Sequence, residues 1–216
     1  FYKSPSNDFN EGALLQNGEF DKLKKDIKNF NETLKINGRC ITFFGSARFD
    51  ENNKYSQKAR ELARLLAPKF TIFTGGGGGI MEATNHGASE AGAKSVGINI
   101  ILPREQDMNK FADFKFTFNY LYVRKCALIE KSDFFVVFPG GFGTLDELFE
   151  VITLKQTGKK SCEIYLYDRE YFAPLVEFFK ISLLKNGAIC EDELLNFTLC
   201  DDINQIYEKI TYQNLA

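Results

Sequence analysis

Residues 134–147 read FFVVFPGGFGTLDE, an apolar run followed by a glycine-rich turn and a helix-like segment. A continuous apolar run is typical of a parallel strand, because helices cover both faces of a parallel sheet. Four more such runs end at or near Gly, Pro or Asp, at residues 40–44, 70–74, 95–101 and 163–167. Helix-like segments alternate with the runs, at residues 54–67, 79–91, 121–131 and 144–157. The alternation predicts an α/β fold: a Rossmann-like, doubly wound, mainly parallel sheet with helices on both faces.

The segment before the first apolar run has a different character. Residues 1–38 are rich in Asn and Lys, and their apolar side chains recur every three or four positions, at Phe20, Leu23, Ile27, Phe30 and Leu34. That spacing predicts an amphipathic helix of about four turns that packs on the main body or on a partner subunit. We therefore expect an N-terminal helical extension, residues 1–38, and one α/β domain, residues 39–216, completed by helices at residues 172–185 and 204–211.

Composition argues against several classes of partner. The 216 residues carry 27 Lys and Arg against 29 Asp and Glu, a net charge of −2, so no overall charge favours nucleic acid or an anionic membrane surface. The longest clear apolar run, residues 134–138, is far shorter than the roughly 18 residues of a membrane span. Five cysteines without a CxxC pair indicate free thiols in a reducing compartment, and hence a cytoplasmic protein.

Three glycine loops follow predicted strands: Gly45-Ser46, residues 75–79 and residues 139–144. Because parallel strands point their carboxyl ends to one edge, we expect these loops to meet there. Glycine lets the backbone approach a ligand closely, and a helix N-terminus attracts an anion. The loops therefore predict a phosphorylated ligand, the alternative being that the glycines only permit tight turns. There is no GK[ST] P-loop, and Asn99 stands where a dinucleotide-binding protein carries an acidic residue, which favours a mononucleotide.

Two motifs carry a resemblance to a known family. Arg124-Lys125 on a predicted helix, followed by PGGxGTxxE from Pro139 to Glu147, resembles the LOG family, the "lonely guy" phosphoribohydrolases that are often mislabelled lysine decarboxylases. The likeness extends over about residues 39–156. It implies hydrolysis of a nucleoside 5′-monophosphate, AMP or an N6-modified AMP of the cytokinin type, to the free base and ribose 5-phosphate. It also implies a homo-oligomer with active sites at a subunit interface and no metal or redox cofactor.

The resemblance implies that residues 39–216 form a nucleotide-binding catalytic domain. The family pattern also assigns roles to individual residues of this domain. Glu147 and Arg124 are the expected catalytic pair, and residues 139–144 are expected to bind the phosphate and ribose. The chemistry suits these side chains: cleavage of an N-glycosidic bond passes through an oxocarbenium-like transition state, so a carboxylate beside the sugar stabilises positive charge or deprotonates water. A fixed guanidinium stabilises the negative charge of the leaving base or clamps the substrate.

The expected substrate-binding residues are Gly45, Ser46, Gly75, Gly76, Gly77, Lys125, Pro139, Gly140, Gly141, Gly143, Thr144 and Thr153. Thr153 is the weaker candidate among them, because its spacing from Glu147 does not put both residues on one helix face.

Structural alternatives remain open for the same residues. Thr144-Leu-Asp-Glu147 fits a capping box, in which the Thr144 hydroxyl and the Glu147 carboxylate cap a helix, although the glycine turn before it favours catalysis. Arg124 and Lys125 would otherwise be two solvated helix residues. His86 is the only histidine, which argues against a Ser-His triad or a multi-histidine metal site and indicates a packed or surface side chain.

Polar and aromatic residues follow the third apolar run. The polar residues are a hypothesis for contact with the base, in a loop long enough to cover a pocket: Glu105, Gln106, Asp107 and Asn109. The aromatic residues indicate core or interface rather than a stacking platform: Phe111, Phe114, Phe116 and Phe118.

Two further functions compete with hydrolysis. A non-catalytic nucleotide-binding sensor or carrier would use the same glycine loops without chemistry. A pyridoxal phosphate decarboxylase would need a Schiff-base lysine and a partner for the pyridine nitrogen, and the sequence assigns neither.

Overall fold

A computed structural model describes residues 17–36, 38–101 and 107–212, except for the side chains of residues 17, 19 and 20. Within these ranges the strands are β1 Cys40–Phe44, β2 Thr71–Thr74, β3 Ser95–Ile100, β4 Phe114–Phe118, β5 Phe134–Val137, β6 Glu163–Tyr167 and β7 Thr198–Cys200. The α-helices are α1 Asn17–Thr33, α2 Lys54–Leu66, α3 Ile80–Glu90, α4 Leu121–Glu130, α5 Phe142–Gln156, α6 Arg169–Phe178 and α7 Ile203–Tyr212. A π-helix, Phe179–Leu184, continues α6, and a 3-10 helix spans Glu191–Asn196.

The strands join one parallel sheet in the order β4-β3-β2-β1-β5-β6-β7. β1 is central, where Ile41 pairs with Ile72 of β2 on one side and with Phe134 of β5 on the other. From β1 the chain fills one half of the sheet as far as β4 and then crosses to β5, so the strand order reverses between β1 and β5. The predicted α/β fold is confirmed, and open sheets of this kind bind ligands at the carboxyl edge beside such a reversal.

The central strands bury side chains on both faces of the sheet. In β1, Phe44 packs in the layer of α1, α4, α5 and α6, whereas Phe43 packs in the layer of α2, α3 and α7. Successive residues of a strand point to opposite faces, so helices on both sides leave no solvated position. Even the polar Thr42 is buried, and its hydroxyl donates to the carbonyl of Leu128 at 2.8 Å. This double burial explains the continuous apolar runs of the sequence.

α1 is the amphipathic helix expected within residues 1–38. The ring of Phe30 packs edge-on against Phe116 and Phe118 of β4, with centroid distances of 5.1 Å and 5.9 Å. α1 therefore packs on the α/β body of its own chain. Phe20, the first residue of the expected apolar stripe, has its side chain outside the described residues. The division of the chain at residue 38 stays a prediction.

Two strands differ from the expectation. β4 lies at one edge of the sheet, and its phenylalanines alternate with exposed Lys115 and Thr117. An edge strand with one wet face has no continuous apolar run. The alternation Phe-Lys-Phe-Thr-Phe is the pattern of a half-buried strand, and a search for continuous runs alone misses it. β7, at the other edge, has three residues and is too short to form a run. The expected core role is confirmed for Phe116 and Phe118, which are both buried.

Helix boundaries also differ at two places. α5 begins at Phe142, inside the glycine motif and ahead of the expected start at Thr144. The helix expected at residues 172–185 begins earlier, at Arg169, because the Asp168 carboxylate caps it by accepting from the backbone N–H of Tyr171 at 3.2 Å.

Two findings bear on the expected free thiols and on the expected absence of a membrane span. All five cysteines are free, with Cys40, Cys162 and Cys200 buried and Cys126 and Cys190 exposed. In residues 17–36, 38–101 and 107–212, no helix combines the length and apolar character that crossing a membrane requires. The cytoplasmic location and the homo-oligomer stay predictions.

Candidate active site

Two glycine loops meet where the strand order reverses. Ser46 follows β1, and its backbone N–H donates to the carbonyl of Pro139, which follows β5, at 3.1 Å. The Cα of Gly140 lies so close to the first loop that an added Cβ would stand 2.9 Å from the Ser46 nitrogen and overlap the side chain of Thr144. The structure therefore brings Gly45-Ser46 and residues 139–144 into one crevice, because their strands are neighbours in a parallel sheet.

The N-terminus of α5 opens into this crevice. Its N-cap residue is Gly141, and neither a side-chain cap nor an acidic residue occupies its first turn. A Cβ at Gly141 or at Gly143 would meet no atom within 4 Å, so the space beside both residues is open. Uncapped N–H groups and the positive end of the helix dipole together attract an anion such as a phosphate.

The capping-box alternative for Glu147 is wrong. Thr144 lies within the first turn of α5 rather than at its N-cap. The Glu147 carboxylate accepts instead from the guanidinium of Arg124, with 3.0 Å between Oε1 and Nη1. The side chain of Glu147 is thus paired with Arg124 rather than committed to the helix end.

Arg124 of α4 and Glu147 of α5 form a largely buried pair, with side chains 11% and 12% exposed. The Arg124 side chain is held on three sides. Its Nε donates to the carbonyl of Ile98 in β3 at 2.9 Å, its Nη1 donates to Glu147, and its Nη2 lies over Gly75, where a Cβ would overlap it. The alternative of a solvated arginine is therefore wrong. These contacts also bring the second glycine loop next to the pair.

Burial and the neighbouring arginine act on the Glu147 carboxyl in opposite directions. Burial disfavours the charged form and raises the pKa of Glu147, whereas the charge of Arg124 and its hydrogen bond lower it. Burial is the larger effect, so the net pKa lies above the ordinary value. A carboxyl group with a raised pKa beside a cation in a cleft is a common property of catalytic sites.

Lys125 and Thr153 have partners outside the Arg124–Glu147 pair. The Nζ of Lys125 forms ion pairs with Asp146 at 3.0 Å and with Glu150 at 2.8 Å, so it joins α4 to α5. The Thr153 hydroxyl is exposed and donates to the carbonyl of Phe149, one turn earlier, at 2.8 Å. The structure does not bring Thr153 together with the catalytic candidates, and the substrate-binding role of both residues stays a prediction.

Tyr171 is a crevice residue that sequence reasoning missed. Its hydroxyl, at the start of α6, donates to the carbonyl of Gly140 at 2.7 Å. Such a contact stiffens the glycine loop beside the N-terminus of α5. No local pattern marks Tyr171, because its partner lies 31 residues away in the chain.

His86 is a packed side chain, as expected. Its ring stacks on that of Phe111, with centroids 3.9 Å apart and planes 7° apart. Burial and the nearby charge of Arg60 lower the pKa of His86. Among the residues expected to contact the base, Asp107 is exposed, Asn109 is buried against the second glycine loop, and Glu105 and Gln106 lie outside the described residues.

Metal binding finds no support in the part of the chain that the structure describes, where no three His, Cys, Asp or Glu side chains gather into a metal site. The expected absence of a metal or cofactor stays a prediction.

A solved structure is similar to this chain in fold. A solved structure described as the molybdenum cofactor binding protein from the phototrophic bacterium Rippkaea orientalis has a TM-score of 0.62 and 17% identity. The match covers 82% of this chain and 98% of that one. At this identity the likeness shows the fold alone, and it agrees with the Rossmann-like sheet.

Two curated relatives are similar in sequence. Cytokinin riboside 5′-monophosphate phosphoribohydrolase LOG of rice is 28% identical over 159 residues, 71% of this chain and 64% of the rice protein's length. Cytokinin riboside 5′-monophosphate phosphoribohydrolase of Rhodococcoides fascians is 28% identical over 172 residues, 76% of this chain and 85% of that protein. The names of both relatives state a phosphoribohydrolase activity. The resemblance of the two motifs to the LOG family implies the same activity.

A family model described as possible lysine decarboxylase matches residues 81–210, which is more than half of the chain. The matched region contains α4, the glycine loop of residues 139–144 and α5, so it includes both Arg124 and Glu147. On this match, the chain belongs to the possible lysine decarboxylase family, which is the LOG family that its two motifs resemble.

Proposed function

We propose that the chain hydrolyses the N-glycosidic bond of a nucleoside 5′-monophosphate, AMP or an N6-modified AMP, and releases the free base and ribose 5-phosphate. One observation carries the proposal: a largely buried arginine–glutamate pair contacts the second glycine loop, and its glutamate lies on the helix α5, whose N-terminus is uncapped. The helix N-terminus suits the phosphate, and the carboxylate suits the cation that forms at the sugar. The names of the relatives support the same reaction.

In the proposed mechanism the N–H groups at the start of α5 bind the phosphate and place the sugar beside Glu147. The bond between the anomeric carbon and the base breaks, and its electron pair leaves with the base. The ionised Glu147 stabilises the resulting oxocarbenium character and accepts a proton from the water that bonds to the anomeric carbon. Arg124 keeps the buried carboxylate charged, and its positive charge favours departure of the base, which takes up a proton from solvent.

The function is tested by incubating the purified protein with a panel of nucleoside 5′-monophosphates, including AMP and an N6-modified AMP, and measuring released base by chromatography. We expect release from the monophosphates and little from adenosine, which lacks the group that the α5 N-terminus attracts. Calorimetric binding of AMP without release during a long incubation would contradict the proposal. That result would support the non-catalytic nucleotide-binding carrier.

The proposed role of Glu147 predicts the pH dependence of turnover. The carboxylate is the active form, so kcat falls as the pH drops through the pKa of Glu147. Burial raises this pKa, and we therefore expect the acid limb of kcat to lie above the ordinary value of 4.5. The measurement uses saturating substrate, because kcat/KM also follows the substrate phosphate, whose second pKa is about 6. With the fold intact by circular dichroism at each pH, a limb at or below pH 4.5 would contradict the assignment.

A further inference from the structure

The amide group of Asn109 lies at the centre of a buried hydrogen-bond network beneath the second glycine loop. The two hydrogens of its Nδ2 are shared among three acceptors: the carbonyls of Gly76 and Gly77, both at 3.1 Å, and Oδ1 of Asn85 at 3.0 Å. Its backbone N–H also donates to the carbonyl of Gly76, at 2.8 Å. One residue thus provides the donors for two successive carbonyls of the loop, and it is 7% exposed.

The other end of the same amide is equally engaged. Oδ1 of Asn109 accepts from the backbone N–H groups of Phe111 and Ala112, at 3.1 Å and 3.2 Å. These contacts fix the orientation of the Asn109 amide. Its oxygen faces the backbone of Phe111 and Ala112, and its NH₂ group faces the second glycine loop. Only a side chain with a donor and an acceptor in this geometry satisfies both sides.

Thr74 of β2 and Asn85 of α3 complete the network. The Thr74 hydroxyl accepts from the backbone N–H of Gly76 at 3.0 Å and donates to Oδ1 of Asn85 at 2.7 Å. Nδ2 of Asn85 donates to the hydroxyl of Ser95 at 2.9 Å. The glycine loop is therefore tied to β2, α3 and β3 through buried side chains, although its own glycines offer no side chain for packing.

The loop in turn supports the catalytic pair. Nη2 of Arg124 lies over Gly75, next to the residue that Asn109 holds. Nη1 of the same guanidinium donates to Glu147. A shift of the loop removes the contact between Gly75 and the guanidinium of Arg124, so the guanidinium is free to move. A misplacement of about 1 Å in a catalytic group lowers the rate on the order of 100-fold.

We propose that Asn109 is a positioning residue that holds residues 75–77 against Arg124 and thereby sets the contact between Arg124 and Glu147. The inference rests on the proposed function, which makes this pair catalytic. Asn109 acts through the loop and does not itself react.

Two neutral variants of nearly unchanged shape test the proposal. Asn109→Leu removes the donors and acceptor of the amide, and Thr74→Val removes the hydroxyl that holds the N–H of Gly76. Neither adds a charge that would disturb Glu147 directly. For Asn109→Leu we expect kcat to fall about tenfold or more, and by a larger factor than KM rises, because the α5 N-terminus that attracts the phosphate is untouched. Thr74→Val is expected to change both constants in the same direction by a smaller factor.

The pH profile separates positioning from a merely structural role. When Arg124 moves away, its lowering effect on the pKa of Glu147 weakens, so the acid limb of kcat is expected to move upward by about half a pH unit or more. Thr84→Val is the matched control, because Thr84 is equally buried and its hydroxyl donates only within α3, to the carbonyl of Ile80 at 2.7 Å. We expect this control to leave the limb in place even where it lowers Tm.

Two activity-independent measurements keep the inference distinct from the proposed function. Hydrogen exchange of the backbone over residues 75–79 is expected to accelerate in Asn109→Leu and not in Thr84→Val. Carbon-13 titration of the Glu147 carboxyl, assigned with Glu147→Gln, is expected to give a higher pKa in the same variant. If wild-type protein releases no base, the proposed function fails while these measurements still decide the positioning.

Unchanged exchange, carboxyl titration and acid limb in a folded Asn109→Leu would overturn the inference. If Asn109→Leu does not fold, Thr74→Val carries the same measurements, and its failure to move them overturns the inference equally.

Discussion

Glu147→Gln is expected to reduce base release from AMP by about 1,000-fold, the range found when a positioned catalytic charge or base is removed. Glutamine has nearly the same shape, and its Oε1 still accepts from Nη1 of Arg124, which lies 3.0 Å from the native oxygen. The variant therefore loses the negative charge and the proton acceptor but keeps the packing. The measurements are turnover by chromatography, AMP binding by calorimetry and folding by circular dichroism.

The matched control for this variant is Glu90→Gln. Glu90 also pairs with an arginine, Arg60, but on the opposite helix layer and with the carboxylate side chain 35% exposed. We expect the control to leave turnover unchanged. Wild-type turnover in Glu147→Gln, or equal losses in both variants, would contradict the role assigned to Glu147.

Arg124→Met is expected to reduce turnover at pH 7 by about 100-fold or more, and to shift the acid limb of kcat to higher pH. The substitution keeps an unbranched stem but removes the cation that lowers the pKa of the buried Glu147 carboxyl. The carboxyl then takes up a proton at a higher pH than in the wild type. Raising the pH is therefore expected to recover part of the lost activity.

The same substitution is expected to lower the free energy of unfolding by about 1–3 kcal/mol, measured by denaturant titration. Removing one partner of a buried pair usually costs more, but protonation of Glu147 relieves part of the penalty. Arg60→Met is the control: the Arg60–Glu90 pair is 40% and 35% exposed on its two sides, and exposed pairs contribute about 1 kcal/mol or less. An acid limb that does not move in Arg124→Met would contradict the proposed coupling between the two side chains.

The central strands were predictable because their burial leaves a direct mark on the sequence. β1, β5 and β6 pair with parallel neighbours and are covered on both faces, so each appears as an apolar run. The edge strand β4 does not form a continuous apolar run, because Lys115 and Thr117 face solvent between its phenylalanines. A continuous apolar run indicates a strand only where both faces of the strand are buried. It therefore fails to identify an edge strand such as β4, which has one face buried and one face in solvent.

The candidate site was partly predictable for a related reason. The motifs identify Arg124 and Glu147 and the glycines around them, but a helix boundary within the motif decides whether Glu147 caps a helix or faces the crevice. That boundary lies at Gly141, and Thr144 is consequently inside α5. The capping box fits the local sequence equally well, so the contact with Arg124, 23 residues away, is what separates the two interpretations.

The order of amino acids alone predicts the alternation of strands and helices and the three glycine loops, because each is a pattern of residues that are close together in the chain. The resemblance of two motifs to a known family points to the side chains expected to react. The folded chain adds the reversal of strand order between β1 and β5, the Arg124–Glu147 contact, the network around Asn109 and the separate contact of Tyr171 with Gly140. These features join residues that lie far apart in the sequence. Their geometry comes from the packing of the sheet and its helices, which leaves no local pattern to read.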